Sequence, residues 1–238
     1  MTLEEFCSYL TYGEFSQINI GGIEFSNISK ENYPAITTNI NLGLVEIYKR
    51  FNIKIDEVNV LVQEGTVRYN LSKNHAVTNP NNTSDVLYPK YINDSISHPF
   101  DNNILTIYEV EDPEEALLPY NLENATKTSF LLVEPGVIKM PSDYAETSFT
   151  VKYRATPQKL STSQEIDPAL IEIPLGDAYT EALLNYTVYK IINGIDPRDA
   201  TGVSYYQKFI SSVQEIRSSG LANILNIENT KLESNGWL

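Results

Sequence analysis

The residues best suited to catalysis are few and scattered in this chain. His75 and His98 are its two histidines, and no sequence motif places a serine, cysteine or carboxylate nucleophile near either of them. Both lie in or beside a polar stretch, so we expect solvated loop side chains. Cys7, the single cysteine, lies on a short amphipathic segment, where we expect a core or semi-buried thiol.

Patterns that bind metals or phosphates are also missing from the sequence. No HxxxH, HExxH or CxxC pattern occurs, and Gly21-Gly22 stands alone, without the other residues of a phosphate-binding loop. We therefore expect neither a metal ion nor a cofactor.

The densest group of carboxylates is a run near the middle of the chain. It comprises Glu109, Glu111, Asp112, Glu114 and Glu115. A glycosidase needs one acid whose pKa is raised beside a charged partner, and nothing in this run identifies such an acid. We interpret it as a solvated acidic rim and expect no enzyme, although a glycoside hydrolase that uses this run stays open as an alternative.

Composition excludes several classes of protein. The 238 residues include 31 acidic and 17 basic ones, a net charge of −14, which opposes binding to nucleic acid through phosphate neutralisation. No apolar run approaches the length of a membrane span, and Glu4 and Glu5 stand where a secretory signal would be basic. We expect a soluble protein made in a reducing cytoplasm, with no membrane partner.

Apolar residues at helical spacing predict helices near both ends of the chain. A short helix over residues 3–10 has Thr2 and Glu5 at the spacing of a capping box. Longer helices are predicted over 34–51, over 178–192 with Asp177 as N-cap and Gly194 as stop, and over 201–219. The residues that we expect in the helical core and in subunit packing are Ile40, Leu44, Phe51, Leu183, Tyr186, Tyr189, Tyr206, Phe209 and Val213.

Alternating apolar and polar residues predict short strands in the middle of the chain. Residues 58–62 and 67–71 read as a hairpin around Glu64-Gly65, and further strands are expected at 104–110, 130–133, 137–140 and 149–153. Residues 73–99 read as a long polar loop, and 113–118 as a short helical turn.

These elements predict an α+β fold, in which the N- and C-terminal segments form a helical bundle with an inserted antiparallel β domain, a small sandwich or barrel. The expected parts are the bundle segments 1–52 and 156–220, the β domain 53–155 and a C-terminal docking tail, 221–238.

Four short patterns resemble one protein family. They are Val151-Tyr153-Ala155, Ile171-Ile173-Pro174, Ala182-Leu183-Tyr186-Tyr189 and Tyr206-Phe209-Val213. Their order is similar to the carboxy-terminal half of the head-to-tail adaptors of short-tailed bacteriophages, also called tail tubular proteins of the A type. The segments LVEIYKRF and VRYNL resemble the family's second helix and first hairpin.

The resemblance implies a structural virion protein of the neck, made in the cytoplasm of a host bacterium. Family members form a ring, usually of twelve copies, beneath the portal protein. The ring extends the DNA channel without binding DNA specifically and carries the tail nozzle or fibre proteins. The resemblance places the helical bundle against neighbouring copies and the portal, and the β domain against tail components.

The tail is the segment that we expect to dock on the portal. Its apolar residues fit neither a helical nor a strand period, which is typical of a segment that orders on a partner. These residues are Ile224, Leu225, Ile227, Leu232, Trp237 and Leu238. A second alternative also stays open, a β-rich receptor- or glycan-binding phage tail component that uses the β domain and the loop at 73–99.

Overall fold

The computed structural model describes residues 1–12, 14–17, 19–20, 23–24, 28–79, 88–121, 129–163 and 165–220. The chain divides into two compact units, one of Met1–Ile53 with Pro157–Leu238 and one of Lys54–Thr156. We call them the helical unit and the β unit. Long helices occur in the first and two antiparallel sheets in the second, so the predicted α+β class is confirmed.

Among its described residues the helical unit has four α-helices, α1 (Leu3–Tyr12), α2 (Tyr33–Arg50), α3 (Thr180–Ile195) and α4 (Ala200–Ser218). A small hairpin, β1 (Asn19–Ile20) with β2 (Ile23–Glu24), lies between α1 and α2 in the chain. The predicted capping box begins α1, since the Thr2 N–H donates to Glu5 Oε2 at 2.8 Å and the Glu5 N–H donates to Thr2 Oγ1 at 3.2 Å. Both orphan N–H groups are thereby satisfied.

The ends of α3 differ from the prediction. Asp177 is not its N-cap but opens a 3₁₀ turn, Asp177–Tyr179, that leads into the helix. At the other end the helix passes through Gly194 to Ile195, and the extended Asp196 caps it. Because Pro197 follows, Asp196 is pushed away from the helical region, and the proline rather than the glycine ends the helix.

The described part of the β unit, without residues 80–87 and 122–128, forms two antiparallel sheets. Their strands are β3 (Ile55–Leu61), β4 (Arg68–Asn70), β5 (Ile92–Asn93), β6 (Ile104–Glu111), β7 (Leu131–Glu134), β8 (Val137–Lys139) and β9 (Ser148–Ala155). One sheet has the order β5-β3-β9-β6 and the other the order β4-β8-β7. Side chains from both sheets, among them Val151 and Ile138, share one hydrophobic core.

The predicted hairpin of residues 58–62 and 67–71 is wrong. The chain does turn at Glu64-Gly65, where Gly65 has φ +77°. The two strands then enter different sheets, because β3 pairs with β9 over seven residues, whereas β4 pairs with β8. The longer pairing buries the alternate residues of β3 against those of β9, which a two-strand hairpin could not do.

Two further segments differ from their predicted structure, the polar loop at 73–99 and the short helical turn at 113–118. Part of the region 73–99 is regular, since Lys73–His75 form a 3₁₀ turn and β5 pairs with β3. Residues 113–118, predicted as a short helical turn, form a turn that is not helical, in which Asp112 Oδ1 accepts the N–H groups of Glu114 and Ala116. These bonds compete with the backbone bonds of a helix.

Candidate assembly surface

Aromatic side chains of α3 and α4 form a connected group in the helical unit. Ring centroids lie 4.9 Å apart for Tyr186 and Phe209 and 4.9 Å apart for Tyr189 and Tyr206. Tyr186 and Tyr189, one turn apart on α3, lie 5.7 Å from each other in an edge-to-face arrangement. Tyr186 meets Tyr189 and Phe209 edge to face, whereas Tyr189 and Tyr206 are tilted relative to each other, and both arrangements favour a defined orientation of the rings.

The three tyrosines of this group reach solvent, while Phe209 beneath them is fully buried. Tyr206 is 37% exposed, and Tyr186 and Tyr189 are half-buried. We call Tyr186, Tyr189 and Tyr206 the aromatic surface. Each offers an apolar ring and one hydroxyl at the rim, a composition that is typical of protein interfaces.

Basic side chains border the aromatic surface. The Arg50 guanidinium carbon lies 5.3 Å from the centroid of the Phe209 ring, and Lys190 Nζ lies 5.8 Å from that of Tyr189. Arg50 Nη2 also donates to Glu46 Oε1 at 2.7 Å, which holds the guanidinium in place. Over the lengths of α2, α3 and α4 there are five basic and three acidic residues, whereas the whole chain is strongly acidic.

The hydroxyl of Tyr186 stays protonated under all ordinary conditions. Burial raises its pKa to about 12, and the nearby Glu46 carboxylate raises it further than the Arg50 guanidinium lowers it. A neutral phenol can donate one hydrogen bond to a partner's carbonyl or carboxylate, so this surface suits contacts with protein.

The structure places most of the predicted core residues where the sequence indicated. Phe51, Leu183, Phe209 and Val213 are buried with Ile40 and Leu44 of α2. Tyr186 and Tyr189 lie at the boundary with solvent, and Tyr206 is exposed. The predicted tail residues Ile224, Leu225, Ile227, Leu232, Trp237 and Leu238 lie outside the described residues.

The sequence prediction missed Tyr205 and Phe15 as core residues. Of the two adjacent tyrosines, Tyr205 is buried and Tyr206 is exposed, and the Tyr205 ring lies 5.5 Å from that of Phe15. Phe15 belongs to a glycine-containing polar stretch that has no apolar period, so no signal marked it. The one indication of its burial is that it is a phenylalanine in a polar stretch, because exposing so large an apolar side chain to water costs free energy.

Three of the side chains that chemistry could have used, Cys7, His75 and Glu111, lie in buried or stacked positions. Burial raises the pKa of the Cys7 thiol to about 12, which keeps it from ionising. His75 stacks on Tyr91 with 4.5 Å between ring centroids, so it is not simply a solvated loop residue. In the acidic run, Glu111 is nearly buried and accepts from Lys152 Nζ at 2.7 Å.

No group of three or more potential metal ligands occurs within the described ranges. Among the helices described, none combines the length and apolar character needed to cross a lipid bilayer. No model of a known protein family matches the chain, and no curated protein matches it either.

Proposed function

We propose that the chain is a structural virion protein, a ring-forming head-to-tail adaptor that joins the portal to the tail nozzle and extends the DNA channel. In this proposal the terminal segments form a helical bundle with an inserted β domain. The observation that carries it is the aromatic surface, with its basic border on an otherwise acidic chain. The resemblance described above supplies the biological setting.

A surface of this kind favours contact between copies at two different patches. Basic residues beside exposed rings on one copy complement acidic residues on the next, whereas two identical basic surfaces would repel each other. When two different patches meet, the copies associate head to tail, and they form a closed ring if the rotation between neighbouring copies is a whole fraction of a full turn. This supports a ring rather than a two-fold dimer.

The charge of the chain suits a channel through which DNA passes. A net charge of −14 on each copy gives a ring a strongly negative field, which repels phosphates and keeps DNA mobile during packaging and ejection. The same balance argues against a protein that holds DNA.

The portal contact is assigned to the tail, residues 221–238, in this proposal. Trp237 is the only tryptophan of the chain, so its fluorescence reports on the tail alone. Burial of its ring in a portal pocket would make it a hot spot of about 2 kcal/mol or more.

The test combines mass and imaging. Sedimentation of the full-length protein with and without purified portal gives the number of copies, and negative-stain images of the mixture show whether a ring caps one end of the portal. We expect a ring on the portal and a blue shift of Trp237 emission on mixing. A protein that stays monomeric or trimeric with portal, and whose emission does not shift, would contradict the adaptor.

One observation favours a second candidate, a receptor- or glycan-binding tail component. A shallow groove of about 970 Å³ in the β unit is lined by polar side chains that include Asn59, Asn93 and Lys152, together with Tyr108. Amides beside a tyrosine ring are groups that bind sugar hydroxyls and the apolar face of a sugar. Saturable glycan binding by a trimer or monomer would select this candidate.

A further inference from the structure

Strand β6 has an open edge in the β unit. It is the last strand of the four-stranded sheet and pairs with β9 on one side. On its other side, within the described ranges, one backbone hydrogen bond occurs, from the Leu118 N–H to the Val110 carbonyl at 2.8 Å. Among the residues that the structure describes, none bonds to the outer backbone groups of residues 104–109, so these groups can pair with an added strand, as on other edge strands.

A groove beside this open edge is lined by apolar side chains and by polar ones, among them Asn70, Asn102 and Thr106. Its volume is about 580 Å³, and side chains from three parts of the β unit line it. They include Leu71 after β4, Ile104, Leu105 and Ile107 on β6, and Leu132 and Glu134 on β7. A strand added to β6 would place every second side chain over this lining, because side chains of a strand alternate between its two faces.

We propose that this groove binds an extended segment of a partner protein, one with alternating apolar and basic side chains, as an additional strand on β6. Backbone hydrogen bonds to the edge supply affinity, and the apolar side chains of the mixed lining, together with Glu134, supply specificity. The proposal concerns the β unit alone and stands whether or not the chain forms a ring.

The negative charge of the β unit favours a partner segment with basic side chains. The β unit has fifteen acidic and eight basic residues in its sequence, a net charge of −7. Glu134 stands in the groove with its side chain 65% exposed and has one basic neighbour, Arg68, at 3.2 Å. A lysine or arginine of the added strand would therefore meet complementary charge.

The same features disfavour a second copy of β6 as the occupant. Its pairing with β9 has register shifts near Leu105 and Tyr108, so a strand added to β6 must be able to follow a locally twisted edge, whoever supplies it. In a symmetric antiparallel pair centred on Val110, Glu109 of each copy would face Glu111 of the other, and this like-charge contact disfavours that register.

The test uses the full-length protein and a fluorescein-labelled ten-residue peptide that alternates valine with lysine. Fluorescence anisotropy measures binding, and hydrogen–deuterium exchange locates it. We expect saturable binding with slowed exchange in residues 104–109. A matched peptide with N-methyl groups on alternate amides loses the backbone donors and should bind about tenfold more weakly.

Two charge reversals give a matched pair of variants. Glu134→Lys should weaken peptide binding about threefold, the size of one exposed ion pair. Glu146→Lys makes the same change at an exposed residue that does not line the groove, and should leave affinity unchanged. Circular dichroism of both variants reports whether the fold is kept.

Four results would overturn the proposal. They are equal binding of the N-methylated peptide, slowed exchange only outside residues 104–109, dimers that the peptide dissociates, and tighter binding of a synthetic peptide of residues 221–238. The third would assign the edge to a second copy, and the fourth to the chain's own tail.

Discussion

Gly43 of α2 packs against Leu183 of α3 with no room for a β-carbon between them. An added Cβ would lie 2.7 Å from Leu183 Cδ1 and 3.2 Å from Tyr186 Cδ1. The contact sets the separation of the two helices and supports the ring of Tyr186 from behind. The aromatic surface therefore depends on a residue that has no side chain of its own.

Gly43→Ala should destabilise the protein by about 1 kcal/mol. Crowding of a buried core costs about 1–3 kcal/mol, and the higher helix propensity of alanine offsets about 1 kcal/mol of that. Urea unfolding measures the change. Gly194→Ala in α3 is the control, because nothing lies within 4 Å of its added Cβ, and it should stabilise by about 0.5 kcal/mol. Equal effects of the two variants would show that the close contact is unimportant.

Tyr206→Ala should weaken assembly while leaving the fold intact. Tyr206 is exposed on the aromatic surface, and loss of an interface tyrosine costs about 2 kcal/mol of association when the residue is central. Sedimentation velocity over a range of concentrations measures it. Tyr12→Ala removes an equally large ring that is 86% exposed on α1, and serves as the control. Loss of assembly in the Tyr12 variant alone would move the interface to α1.

Thr187→Val should stabilise the protein by about 1 kcal/mol. The Thr187 side chain is fully buried in α3, and its Oγ1 has no hydrogen-bond partner among the described residues. Valine keeps the branched shape and removes the desolvated hydroxyl. Thr78→Val is the opposite case, because the Thr78 hydroxyl donates to Asp94 Oδ2, and it should destabilise. Thermal unfolding compares the two, and a destabilised Thr187 variant would show that the hydroxyl finds a partner.

Asp94 should make stability depend on acid pH. Burial alone would raise its pKa, but hydrogen bonds from the Thr78 hydroxyl and from the Phe100 and Thr78 N–H groups outweigh burial and lower the pKa below 3.8. Because the folded-state pKa is lowered, the stabilisation is complete above pH 3.8 and is lost as the pH falls through the folded value. Asp94→Asn should destabilise at pH 7, and its difference from wild type should shrink below pH 3.8. A difference that stays constant across this range would contradict the assignment.

The sequence predicted elements better than it predicted their partners. The turn at Glu64-Gly65 was found because glycine favours positive φ, yet the strands on its two sides belong to different sheets. A turn is a local property, whereas the choice of β9 for β3 depends on residues about ninety positions away. The alternation of apolar and polar residues along a strand shows which side chains face the core, but it does not show which other strand pairs with it.

The candidate surface was predicted in part, for a similar reason. Helical periodicity placed Tyr186 on the apolar face of one predicted helix and Phe209 on that of the next, and the structure buries Phe209 against the Tyr186 ring. It placed Tyr206 on the apolar side and left Tyr205 out, whereas the structure buries Tyr205 and exposes Tyr206. Contact of Tyr205 with Phe15, nearly two hundred residues earlier in the chain, decides which of them is buried.

The β unit begins and ends at one point. The Ala155 N–H donates to the Lys54 carbonyl at 3.0 Å, so the chain enters and leaves the unit through neighbouring residues. A module whose ends meet can be removed, exchanged or grafted at two adjacent junctions, since its replacement need only have ends equally close together. Residues 53–54 and 156–157 are thus natural crossover points, at which recombination between related chains could exchange one β unit for another while the helices stay unchanged.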